Sequence, residues 1–192
     1  MGTRVPSLFS REMTEHRDIN KIIIIGMGSS WKKAPMEGET WSLNNMLSSR
    51  PVKLLFLMHD IDLLLKEGLH DTEEIIENVN KLGIPVMTLK EYPYLPTAII
   101  FPVDDMHSNY YTCSFAYMIA YAVHKGATAI DIYGVPLVNK LEYREQRACV
   151  EYWIGYARGR GIEVNIFGLT TLFGTGLGVG RYGYEWCGHY QK

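Results

Sequence analysis

Residues 22–25 are four consecutive isoleucines, and the next five residues are Gly-Met-Gly-Ser-Ser. A strand without polar alternation has no face to offer water, so it must be covered on both sides. Glycine stops it abruptly, which is the usual end of a buried strand feeding a crossover. The chain therefore starts its ordered part as a central strand of a mostly parallel sheet.

The rest of the sequence repeats that logic. Segments 39–45 (ETWSLNN), 52–60 (VKLLFLMHD), 84–89 (IPVMTL), 97–103 (TAIIFPV), 127–135 (ATAIDIYGV) and 162–167 (IEVNIF) read as further short strands. Between them lie helical patterns at 70–83, 114–126 and 141–161. In the first, Ile75, Ile76, Val79 and Leu82 share a face, Asp71 is placed as N-cap with Glu74 closing a capping box, and Gly83 is a stop. The second, SFAYMIAYAVHKG, is apolar almost all round and reads as a central helix. Strands alternating with helices give an α/β fold, a Rossmann-like three-layer sandwich with a mostly parallel sheet. We divide the chain into an N-terminal arm (1–20), a nucleotide-binding domain (21–168) and a glycine- and aromatic-rich C-terminal tail (169–192). That tail is either a lid or a contact with a second subunit, which favours a homo-oligomer.

Bulk properties remove several classes of function. A net charge of −2 over 192 residues argues against non-specific nucleic-acid binding, which needs a basic surface. Cys113, Cys149 and Cys187 are too widely spaced for a zinc site or disulfide framework, so no metal is expected on them and a reducing cytoplasm fits. No apolar run reaches the length of a signal peptide or a membrane span.

In an open parallel sheet, ligands bind at the carboxyl ends of the strands, where strand order reverses. Polar residues collect at those ends. Gly26, Gly28, Ser29 and Ser30 follow the first strand and form a turn whose amides and hydroxyls can cradle an anionic oxygen. Position 31 is tryptophan, so the turn is not the dinucleotide fingerprint. The bland alternative is a tight turn. Asn44 follows the second strand and Gly134 the sixth. Thr112 or Ser114 can cap the apolar helix, whose N-terminus suits a phosphate or carboxylate. Tyr110 and Tyr111 can stack on a base or pack in the core. Arg147 can clamp a phosphate or pair with Glu151 one turn on, and the second is favoured. The pairs His59-Asp60 and Asp104-Asp105 are the acid/base candidates at strand ends, His59 and Asp104 foremost, with plain structural roles as their alternative; Asp104 and Asp105 could also hold a divalent metal beside a diphosphate. Asp131, inside a strand, is expected to be buried and hydrogen-bonded.

The segments IIGMGSSWKKAP, WSLNN, YYTCSFAYMIAYAVHKGATAIDIYGV and EYREQRACVEYWIGYARGRGIEV together resemble small Rossmann-like phage proteins of unassigned function. More distantly, the order of parts resembles the hydroxymethylpterin diphosphokinase-like and bacterial sialyltransferase-like superfamily. That second resemblance implies a nucleotide or nucleotide-sugar held by Gly26, Gly28, Ser29, Asn44, Thr112, Ser114 and Gly134. Two functions follow as expectations. One is a group transferase of glycosyl type using a nucleotide-activated donor, with His59 or Asp104 as base. The other is a non-catalytic phage protein that sequesters a nucleotide-derived signal in the host cytoplasm. Neither a cofactor nor an acceptor is readable from the residues.

Overall fold

A computed structural model describes residues 20–137 and 141–173, with the side chains of 141–143 left out. The N-terminal arm apart from Asn20, the tail beyond Phe173, Cys187, and the side chains of Glu142 and Tyr143 lie outside the described residues. The elements are β1 (Lys21–Ile25), β2 (Glu39–Leu43), β3 (Leu54–Phe56), α1 (Ile61–Glu67), α2 (Thr72–Leu82), β4 (Val86–Thr88), β5 (Ala98–Ile100), α3 (Ser114–His124), β6 (Ala129–Tyr133), α4 (Leu141–Gly159) and β7 (Glu163–Phe167). Short 3-10 turns at Ser29–Lys33, Asn44–Ser48 and Val103–Asp105 follow β1, β2 and β5.

The seven strands form one sheet in the order β5-β4-β3-β2-β1-β6-β7, and every pair is parallel. The isoleucine run explains itself in this frame. Ile22 and Ile24 face the layer of α3 and α4, while Ile23 and Ile25 face Ala34, Met46 and Trp31 on the other side. Growth from β1 to β5 runs one way with α1 and α2 on one face, and β6 and β7 extend the other edge with α3 and α4 opposite. Reversing direction and changing face together keeps all crossovers of one hand. Buried α3 residues Ala116, Met118, Ile119, Ala120 and Ala122 and buried α4 residues Cys149, Val150, Trp153, Ile154 and Ala157 fill the layer between them and the sheet.

Asp131 is buried as expected, paired with Lys21 at 3.1 Å and bonded by Asn165 at 3.1 Å. Two other expectations fail at α1 and α2. The run after Phe56 is not all strand: it turns at His59 and becomes α1, with Asp60 as N-cap accepting from the Leu63 amide and Gly68 closing the helix in the left-handed conformation. The capping box at Asp71 is absent. His70 and Asp71 both take left-handed backbone, φ 59° and 52°, so the Asp71 carboxylate makes no capping bond. Glu74 instead accepts from the Ser48 hydroxyl at 3.2 Å.

Gly155 sits exposed inside α4, with open space where a Cβ would stand. Gly155→Ala is therefore expected to raise stability by about 0.5–1 kcal/mol, read as a higher urea midpoint at unchanged m-value.

Candidate functional site

The strand order reverses between β1 and β6, and their carboxyl ends are tied together before any ligand enters. The Gly26 amide donates to the Tyr133 carbonyl at 2.8 Å, and the Gly28 amide to the Gly134 carbonyl at 2.9 Å. Ser30, 9% exposed, accepts from the Gly134 amide at 2.7 Å and donates to the Phe167 carbonyl at 2.7 Å, so its hydroxyl is a strut joining three strand ends. A Cβ at Gly26 would lie 2.4 Å from the Gly134 carbonyl oxygen and 2.5 Å from the Phe115 ring. One at Gly28 would lie 2.5 Å from Pro136. The glycines thus let two crossovers press together, and the amides of Gly26 and Gly28 are already spent on β6. This takes both glycine amides and the Ser30 hydroxyl out of the turn expected to cradle an anion.

Beside this junction opens a cavity of about 660 Å³. Its wall takes Met27 and Gly28 from beyond β1, Leu43 and Asn44 from the end of β2, and His59 from beyond β3. His70 comes from the α1–α2 turn, Thr112 to Phe115 from the start of α3, Gly134, Pro136 and Leu137 from beyond β6, and Gln146 from α4. The volume suits a small organic ligand.

Two features of the wall stand out physically. First, α3 opens into the cavity uncapped. Its N-cap is Cys113 without a side-chain capping bond, and the amides of Ser114 and Phe115 have no acceptor among the described residues. Thr112 does not cap; its hydroxyl donates to the Glu145 carbonyl at 3.2 Å. Such a helix end favours negative charge. Second, Asn44, His70 and Leu137 all line the cavity in left-handed backbone, with φ 51°, 59° and 47°. Asparagine and histidine tolerate this conformation, but leucine is strained in it, and such strain persists only where neighbours enforce it. At Leu137 the enforcing groups are visible. The Thr171 hydroxyl donates to the Leu137 carbonyl at 2.8 Å and the Thr171 amide to the Pro136 carbonyl at 3.0 Å, with residues 170–172 buried.

His59 is held from behind. The Tyr92 hydroxyl accepts the Ile61 amide at 3.0 Å, and Lys90 bridges Asp60 at 3.2 Å and Asp62 at 3.0 Å. The Tyr94 hydroxyl, and then Lys90, hold the Asp62 carboxyl below its ordinary range.

The structure thus brings Gly28, Asn44, His59, Thr112, Ser114 and Gly134 to one cavity. The other sequence candidates stand apart from its wall. Gly26 lies buried behind the glycine junction, Ser29 is exposed, and Ser30 is the strut already described. Arg147 faces Glu151 at 3.8 Å, and Gln146 beside it lines the wall instead. Asp104 sits in the turn after edge strand β5, four strand spacings from β1, or roughly 19 Å. Tyr111 stacks on Tyr117 at 4.1 Å and on Trp153 at 5.4 Å, and the Tyr110 carbonyl accepts the Trp153 indole at 2.8 Å. Tyr111 packs rather than waits for a base, and burial raises its pKa, while the exposed Tyr110 ring meets Tyr152 edge-on at 5.6 Å. His70, Phe115 and Leu137 carried no readable signal in the sequence, because each reaches the wall through backbone geometry.

No protein-family model and no curated protein matches the chain. Among solved structures, the chain is similar to the sialyltransferase CstII from Campylobacter jejuni in complex with the substrate analogue cytidine-5'-monophosphate. That likeness has a TM-score of 0.49 and 14% identity, covering 82% of this chain and 81% of that one. A second structure of CstII, in complex with CMP-3FNeuAc, gives 0.49 and 14%, covering 76% and 79%. At this identity no residue role is carried across.

Proposed function

We propose that the cavity binds a nucleotide or nucleotide-activated small molecule, and that the protein transfers a group from it, of glycosyl type. The observation that carries this reading is the uncapped start of α3 opening into a 660 Å³ cavity at the point where strand order reverses. The Ser114 and Phe115 amides are the anion-binding donors, replacing the glycine turn in that role. Asn44 and Gln146 supply amide groups able to read a base or sugar. Catalysis would come from positioning and from charge stabilisation by the helix end, with His59 as base. Asp104 no longer fits that role, being on the far edge of the sheet.

Binding without turnover is the second reading. It draws on the wall itself, which carries no carboxylate among its described lining residues. One experiment separates the two. The protein purified from cells is analysed by native and denaturing mass spectrometry, then the stripped protein is mixed with nucleotide sugars and donor hydrolysis is followed. A released nucleotide and donor breakdown are expected. Retention without breakdown would leave the second reading; no bound nucleotide and no thermal shift with any nucleotide would end both.

A further inference from the structure

We infer that His59 and His70 work as one unit, a pair of imidazoles that grips an anionic oxygen of the ligand at the β3 end of the cavity; this rests on the nucleotide reading above. The two rings lie nearly parallel, 12° apart, with centroids 6.2 Å from each other, and both line the cavity. Both residues are exposed, and neither ring makes a hydrogen bond or ion pair among the described residues. Their donors and acceptors are therefore open to a ligand. A neutral imidazole offers one of each, and a charged one offers two donors. No lysine or arginine is among the described lining residues, so on the side-chain part of the wall these rings are the groups able to carry positive charge.

The backbone explains how two residues eleven positions apart meet. His59 precedes α1 and His70 follows it, with the chain reversed by Gly68 and then by the left-handed pair His70–Asp71. Glycine would take that conformation without steric cost, yet an imidazole occupies it. The chain just after His59 is held by the Tyr92 hydroxyl on the Ile61 amide and by Lys90 on Asp60. The His70 ring is then brought to His59 by a left-handed turn, as expected of a pair built for a ligand.

The test uses the full chain and cytidine-5'-monophosphate, which carries a base, a ribose and one phosphate, with affinity measured by calorimetry. Asparagine tolerates left-handed backbone, so His70→Asn is expected to leave the melting temperature unchanged while weakening binding roughly tenfold or more. His59→Asn should do the same. In the double variant the loss should stay close to that of one substitution, because removing either ring breaks the grip. His70→Gly relieves the turn, so it should melt no lower than wild type and still lose the affinity. Affinity of His70→Asn within about twofold of wild type, or a double loss equal to the product of the single losses, overturns the inference alone. A wild-type protein that shows no binding to any nucleoside phosphate overturns it together with the nucleotide reading; if a nucleotide other than cytidine-5'-monophosphate binds, the same variants are compared with that one.

Discussion

Gly134→Ala is expected to lower the melting temperature by about 6–12 °C. An added Cβ would stand 2.2 Å from the Gly26 carbonyl oxygen and 2.7 Å from its carbon, both backbone atoms on the strand that anchors the sheet. Neither can move without breaking the Gly26–Tyr133 or Gly28–Gly134 hydrogen bond. Forcing extra volume into a packed site costs about 1–3 kcal/mol, and the left-handed φ of 70° adds about 1 kcal/mol for alanine. Together that is about 3 kcal/mol, which in a chain of this size converts to the quoted shift. Gly68→Ala is the control, since it shares a left-handed φ of 63° but has open space around it. It should lose only about 1 kcal/mol. If the two variants melt alike in a thermal scan, crowding at the β1–β6 junction is not what glycine relieves there. The same geometry means that bulk at Gly28 strikes Pro136, so lost ligand binding in such a variant would report damage to the fold.

Most of the fold was legible because its signals are local. Four isoleucines cannot alternate between core and water, and that alone demanded a central parallel strand. Ile75 and Val79 of α2 point inward as the helical spacing required, while Leu82, expected on the same face, is exposed at the helix end. The missed helix α1 shows the limit. Its seven residues, IDLLLKE, are too few to establish a period beside the apolar run of β3. Its boundary signals, Asp60 and Gly68, were present, but Asp60 stood next to His59 and read as half of a strand-end acid/base pair. The failed capping box at Asp71 has a similar origin: the spacing was right, and the left-handed turn before it was set by the packing of α1 against α2.

The site divides in the same way. Strand ends could be read from sequence, so Asn44, His59 and Gly134 were found. Which face of a turn meets the cavity could not. Gly-Met-Gly-Ser-Ser holds the site's framework, and its most useful-looking hydroxyl, Ser30, is used to join β1, β6 and β7. The wall residue His70 depends on how α1 returns the chain, and Leu137 depends on Thr171 reaching back across the sheet edge. Those are long-range relations that a residue's own neighbours do not encode.

Arg50→Met is the other substitution expected to cost about 3 kcal/mol. Arg50 is 3% exposed, and its guanidinium donates to the carbonyls of Trp31 at 3.4 Å, Ala34 at 3.3 Å and Pro35 at 2.5 Å. No carboxylate pairs with it among the described residues, its Nε has no partner, and desolvation lowers its pKa. An arginine still remains charged there, so the positive group is held by carbonyl dipoles at the closing end of the 3-10 turn Ser29–Lys33. Methionine keeps the apolar stem but takes the guanidinium donor from the Ala34 and Pro35 carbonyls, while the Trp31 carbonyl still accepts the Ala34 amide at 3.0 Å; losing charge-assisted bonds in a buried place is worth about 1.5–3 kcal/mol each, partly offset by the charge no longer being buried. Lysine offers a point charge in place of a planar fork, so Arg50→Lys should fall between the two. The order expected from chemical denaturation is wild type, then lysine, then methionine. A methionine variant as stable as wild type would mean that desolvating the charge cancels its bonds. The functional consequence follows from where the loop leads. Residues 31–35 follow Met27 and Gly28 at the cavity rim, so on the proposed nucleotide reading loosening them should weaken ligand binding from a residue outside the cavity wall.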